Sequence, residues 1–162
     1  MRRHRLGRWH LFEFANQDWV PSAWRRYVTD YLQFMVAHGP FDRLRELLAR
    51  LARETDAPIV DLCSGSGGPW PTYLEEPDTP FEDTQVILTD LHPNFDAFDR
   101  LEKRSQGRIR TWPEPVDAAD VPEDLGGPRT IINGLHNFRP DTARAILADA
   151  VDQQTPIGVF EI

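Results

Sequence analysis

The sequence predicts an α/β protein with a doubly wound, mostly parallel sheet, helices on both faces and a helical segment in front of it. Three observations point there. Five short apolar runs follow Thr55, separated by helical or loop segments, which is the pattern of parallel strands joined by crossovers. The first of these runs ends in an acid and a glycine turn. The chain before Thr55 spaces its apolar residues at three and four, as helices do. At 162 residues there is room for one domain with a real core, and right-handed crossovers leave few topologies.

Taken in order, Trp9 to Phe14 alternate aromatic and polar residues and read as extended. From Pro21 to about Ala37 the residues Trp24, Tyr27, Val28, Tyr31, Leu32 and Met35 form one helical stripe, opened by Pro21 and stopped by Gly39-Pro40. A second helix places Phe41, Leu44, Leu47, Leu48 and Leu51 on one face. Arg43, Glu46, Arg50 and Arg53 lie on the other, with Glu46 and Arg50 paired at i,i+4. Residues 1–56 are thus an arm and two helices forming a cap, and 57–162 are the core. The expected strands are Pro58–Leu62, Val86–Thr89, Ile109–Trp112, Thr130–Asn133 and Ile157–Ile162. A Pro/Gly-rich loop follows the first strand, a helix near Phe95–Lys103 the second, an acidic turn region the third, and a helix near Asp141–Val151 the fourth.

Composition narrows the functions. No apolar run approaches the roughly 20 residues that cross a bilayer, so no membrane contact is expected. With a single cysteine, Cys63, no internal disulfide forms. The arginines at 2, 3, 5 and 8 precede no apolar stretch of signal-peptide length. The simplest reading is a cytoplasmic protein. A net charge of −8 disfavours nucleic acid as a partner. The basic arm offers the one exception, a contact for RNA or an acidic partner, against the simpler reading of a solvated tail. No metal site is expected.

In a doubly wound sheet, ligands bind beyond the carboxyl ends of the strands. The loop there reads Asp61-Leu62-Cys63-Ser64-Gly65-Ser66-Gly67-Gly68-Pro69-Trp70, and glycine lets backbone come close to a ligand. Two ligand classes use such a turn. A dinucleotide asks for a third glycine at position 70 and for backbone donors to pyrophosphate; Trp70 and Pro69 stand there instead. S-adenosylmethionine has no phosphate and carries positive charge, which Asp61 can favour. Asp90, 23 residues after Gly67, ends the second strand and can accept hydrogen bonds from a ribose diol. Asp117 followed by Ala118 can receive an adenine amino group, and Leu91 can pack on the adenine face. Each such acid is as often a helix cap; three in order at successive strand ends point to a site.

On these residues the stretch from Ala57 to Ile162 resembles the class I S-adenosylmethionine-dependent methyltransferases. Asp61-Leu-Cys-Ser-Gly65-Ser-Gly67 is similar to their first motif, with Cys63 where the first glycine is usual. Asp90 matches the ribose-binding acid, Asp117 the acid beside adenine, and Asn133-Gly134-Leu135-His136-Asn137-Phe138 the fourth motif at the methyl-transfer site. Phe12-Glu13-Phe14 and Trp19-x-Pro21 look like an uncharacterised bacterial branch of that family. The resemblance implies a Rossmann-like fold, S-adenosylmethionine as cofactor, and a cradle of Asp61, Cys63, Gly65, Gly67, Asp90, Leu91, Asp117 and Ala118.

Methyl transfer is an in-line displacement served by positioning and, for some acceptors, a general base. His136 is the candidate base, against a structural histidine that holds its loop, and Asn133 and Asn137 can orient an acceptor. The Asn/Asp-Pro-Pro-aromatic quartet of amino-methylating DNA enzymes is missing, so amino methylation of DNA bases is disfavoured, and the acidity of the chain favours a small-molecule acceptor over protein or RNA. His92 reads as a loop residue before a helix start. Trp19, Trp24, Tyr27 and Tyr31 form either a lid or the core of the first helix. Compared with that family, the sheet is expected to stop after its fifth strand, leaving an apolar edge at Ile157–Ile162 on which a second copy can pair. The competing readings are an inactive cofactor-binding module and a nicotinamide-dinucleotide oxidoreductase.

Overall fold

The computed structural model describes residues 41–76 and 78–161. Its elements are α1 (Asp42–Arg53), β1 (Ile59–Leu62), α2 (Trp70–Glu75), β2 (Val86–Leu88), α3 (Phe95–Arg104), β3 (Ile109–Thr111), β4 (Arg129–Ile132), a 3-10 turn (Leu135–Asn137), α4 (Pro140–Asp152) and β5 (Ile157–Phe160). The expected extended segment at Trp9–Phe14 and the expected helix from Pro21 lie outside the described residues.

All five strands are parallel, in the order β3-β2-β1-β4-β5. Because β1 is central it is buried along its whole length, and its residues alternate between two apolar layers. Ile59 joins Leu44, Leu48, Trp70, Leu74, Phe98 and Leu101 in the layer under α1, α2 and α3. Val60 and Leu62 join Val116, Val121, Leu125, Ile131 and Ile146 in the layer under α4 and the 112–128 segment. The second helix of the expected cap, α1, therefore shares its core with the sheet, and its Leu51 lies beside Gly158 of β5.

One element differs from expectation. The Pro/Gly-rich loop after β1 contains a short helix, α2, with Trp70, Pro71, Tyr73 and Leu74 buried. At six residues it is too short to show a helical period, and prolines at 69 and 71 read as loop. Burial decides it, since Trp70 stands edge-on to Phe81 and Tyr73 stacks on the same ring, both at 5.8 Å. The acidic region between β3 and β4 has no helix; Val116, Ala118, Val121 and Leu125 cover the sheet from loop backbone.

Candidate functional site

The winding reverses between β1 and β4, since β2 and β3 lie on one side of β1 and β4 and β5 on the other. That reversal opens a crevice at the strands' carboxyl ends, and the bend after β1 lines it. Four of the bend's residues have left-handed backbone: Cys63 at φ 58°, Gly65 at 56°, Gly67 at 99° and Gly68 at 52°. Side chains added at Gly65 or Gly68 would meet nothing within 4 Å among the described residues. Gly67 also has a packing role. A Cβ there would lie 2.5 Å from Leu101 Cδ1, so Gly67 lets α3 pack close. Ser64 pins the bend from below, its hydroxyl donating to the Asp61 carbonyl at 2.7 Å and its N–H to the Thr89 carbonyl at 2.9 Å.

Asp61, expected to face a cationic ligand, sits beneath the bend instead. It is 2% exposed, and its Oδ1 accepts a 2.6 Å hydrogen bond from Thr130 Oγ1 on the adjacent strand. The side chain of Asp61 points to the layer under α1–α3 because that is where position 61 of a buried strand falls. Burial raises its pKa to about 6, against the opposing influence of Thr130, Ser64 and Trp70, while the nearby Asp90 raises it further. Any attraction it exerts on a ligand acts through the bend.

Asp90 does face the bend. Its Oδ2 accepts from Gly65 N–H and its Oδ1 from His92 N–H, both at 2.9 Å, which ties the end of β2 to the glycine turn. Each carboxylate oxygen keeps a second lone-pair site for a ligand hydroxyl. The third-strand loop lies alongside, with Val116 N–H donating to the Asp90 carbonyl at 2.9 Å. Leu91 is 50% exposed, an apolar side chain on the loop after β2. Asp117 is exposed and accepts from Ala119 N–H at 2.9 Å, closing its own turn. Ala118 is buried in the layer under α4, so its side chain supports the loop rather than lining the crevice. His92 precedes the start of α3, which Asn94 caps by accepting from Ala97 N–H.

On the far side of the crevice, Asn133 takes φ 54° and donates its N–H to the Phe160 carbonyl at 2.8 Å. The chain then turns tightly at Gly134, where a Cβ would be 2.9 Å from Ile131 Cγ2 and 3.4 Å from Cys63 Cβ. This close approach brings the fourth-strand loop against the glycine bend. Cys63 itself is partly buried against the layer under α4. His136 is exposed, with Nδ1 2.5 Å from Glu161 Oε2 and its backbone N–H donating to Glu161 Oε1 at 3.1 Å.

Gly65 and Asp90 are thus joined by a hydrogen bond, Leu91 and Asp117 lie on the loops after β2 and β3, Asp61 lies beneath the bend, and Gly134 brings the loop that carries Asn133 and His136 against Cys63. Sequence reasoning missed Glu161, Thr130 and Ser64. Glu161 was accessible to the rule used for Asp61 and Asp90, being an acid that ends an apolar run. Thr130 was not, because only the β1–β4 register sets it opposite Asp61. The proposed aromatic lid of Trp19, Trp24, Tyr27 and Tyr31 lies outside the described residues.

The sequence matches no protein-family model and no curated protein. Among solved structures it is similar to the methyltransferase domain of bacterial CtHen1-CN, with a TM-score of 0.53 and 16% identity over 74% of this chain and 64% of that one. An O-methyltransferase family protein from Burkholderia thailandensis aligns at a TM-score of 0.47 and 18% identity, over 73% of this chain and 40% of that one. The chain thus spans less than two thirds of either neighbour. At these identities the likeness is one of fold. In fold, this chain is a Rossmann-like α/β domain similar to a bacterial methyltransferase domain.

Proposed function

We propose that this chain is an S-adenosylmethionine-dependent methyltransferase acting on a small-molecule acceptor. The observation that carries the reading is the Asp90 carboxylate, turned into the crevice and tied to Gly65 beside backbone whose Cβ positions are open. That arrangement fits a nucleoside. The open bend at Gly65 and Gly68 leaves room for an amino-acid tail, Asp90 holds a sugar diol, and Leu91 and Asp117 offer an apolar face and an acceptor to a base. When bound, S-adenosylmethionine supplies a methyl group on a sulfonium.

The chain's own part is positional and electrostatic. Asp61, shielded from water below the bend, and Asp90 beside it place negative charge where a cation is more strongly favoured than in bulk water. On the β4 side, Asn133 and His136 stand where an acceptor would approach. The fold and the absence of a glycine at position 70 both favour this ligand over a dinucleotide.

Calorimetric titration tests the reading directly. S-adenosylhomocysteine is expected to bind, and a nicotinamide dinucleotide is not; the reverse result overturns the assignment. Asp90→Ala is expected to weaken S-adenosylhomocysteine binding by about 1–3 kcal/mol through lost charged hydrogen bonds. Asp90→Asn, which keeps one acceptor oxygen, should fall between. Unchanged affinity in both variants would put the sugar elsewhere.

A further inference from the structure

We infer that Asp61 couples cofactor binding to the release of a proton, and that its ionised carboxylate, acting through the glycine bend, makes the chain prefer the sulfonium cofactor to its neutral thioether product. The inference rests on the methyltransferase reading and deepens it.

Two carboxylates flank the bend. Asp90 Oδ2 accepts from Gly65 N–H at 2.9 Å. Asp61 lies beneath, 2% exposed, and the chain folds back over it. Ser64 Oγ and Thr89 Oγ1 donate to the Asp61 carbonyl at 2.7 and 2.9 Å. Between the two acids the Cβ positions of Gly65 and Gly68 are open.

The groups facing Asp61 come from each element packed on it. Thr130 Oγ1 of β4 donates to its Oδ1 at 2.6 Å, and Leu88 of β2 is its partner in register. Ser64 of the bend and Trp70 of α2 favour the ionised form; the Trp70 indole N–H does so while buried and without a completed hydrogen bond. Asp90 is the charged neighbour, and it opposes ionisation. None of these groups is a cation. Burial outweighs the three donors and leaves the carboxyl with a pKa of about 6, so near that pH the free chain holds both forms. Packing does not require an acid here. An asparagine would offer Thr130 the same acceptor with no charge to bury.

A cation on the bend supplies what these neighbours lack. It favours the ionised carboxyl, whose proton leaves to solvent, and by reciprocity the ionised carboxyl holds the cation more tightly. No bond in the ligand changes. S-adenosylmethionine and S-adenosylhomocysteine both carry an ammonium and a carboxylate, which cancel in net charge; the first adds a sulfonium. Ionised Asp61 therefore favours cofactor over product, the direction in which turnover must exchange them. The same ionisation lowers the stability of the folded chain, so affinity and stability move oppositely as pH rises.

Calorimetry on the full chain tests the coupling. S-adenosylmethionine is titrated at about pH 6, where its amino group is protonated, in two buffers of different ionisation enthalpy. A proton released on binding appears as a difference between the two heats. Wild type is expected to release a fraction of a proton and Asp61→Asn none. Thr130→Val removes a hydrogen bond that favours the ionised form, and should move the release to higher pH. From about pH 5 to pH 7 the wild-type affinity for S-adenosylmethionine should rise about 10-fold, the scale of one charge pair felt through protein. The affinity for S-adenosylhomocysteine should rise clearly less, and Asp61→Asn should erase the difference between the ligands. Heats indifferent to buffer, release that survives in Asp61→Asn, or equal pH dependence for the two ligands overturns the proposal. Should Asp61→Asn not fold, the wild-type buffer series and the Thr130→Val shift decide it. If neither compound binds at any pH, the methyltransferase reading fails and this one with it; binding without proton release sinks this proposal alone.

Discussion

Cys63 and Asn133 hold left-handed backbone without being glycine, a conformation that costs a non-glycine residue about 1–2 kcal/mol. Asparagine tolerates it; cysteine does so less readily. Both residues sit where β1 and β4 leave the sheet and turn into the crevice. Asp61, between them and the core, is a residue whose ionisation the fold disturbs strongly. Its folded-state pKa of about 6 lies above its ordinary 3.8. Between those values the folded chain binds more protons than the unfolded one, so stability falls as pH rises. This group's contribution is full below about pH 4 and lost by about pH 7, a change of roughly 3 kcal/mol. Asp61→Asn keeps an acceptor for Thr130 and removes the titration. Its stability relative to wild type, followed by chemical denaturation, is expected to rise between pH 4 and pH 7. A constant difference over that range would mean the Asp61 charge is solvated.

Among the elements, β4 is held to α4 by charge at the end away from the crevice. Arg129 is fully buried, with Nη1 2.5 Å from Asp149 Oδ2 and Nη2 2.8 Å from Gln153 Oε1. Gln153 passes the network on to the Val121 carbonyl at 2.7 Å. Removing one partner strands a buried guanidinium, so Asp149→Ala is expected to cost about 3–5 kcal/mol. Replacing the pair with apolar residues of similar volume, Arg129→Met with Asp149→Leu, is expected to be close to neutral. Equal losses in the single and double variants would show that packing, and not charge, decides the region. The exposed pairs Arg43–Glu46, Arg50–Glu46 and Arg144–Asp141 add little, because water and salt screen them and two long side chains lose freedom.

At the scale of the whole molecule, the order β3-β2-β1-β4-β5 sends the connections away from β1 in both directions and leaves the crevice between them open. On the proposed reading a ligand there would touch loops from β1, β2, β3 and β4, and so would bind only the folded chain. S-adenosylhomocysteine at about 100 times its Kd should then stabilise the protein by about 2.7 kcal/mol. For a domain of this size that raises Tm by roughly 5–10 °C. Differential scanning calorimetry checks it, and a dinucleotide that raised Tm in its place would redirect the cofactor assignment. Among the described residues no helix is long and apolar enough to cross a membrane.

Much of this was legible in the sequence because strands and helices announce themselves by period. The five apolar runs became the five strands, and the stripes at Leu44–Leu51 and Phe95–Leu101 became α1 and α3. The helix α2 stayed hidden, since six proline-flanked residues carry no period and the packing of Trp70 decides it. At the site, the sequence by itself located the glycine bend and Asp90, because a turn and a strand-end acid are local features. Which way Asp61 points, what Gly67 makes room for, and that Glu161 grips His136 were decided only by tertiary structure. Register, helix packing and the meeting of two strand ends join residues 69, 34 and 25 positions apart, and no local pattern along the chain records such a distance.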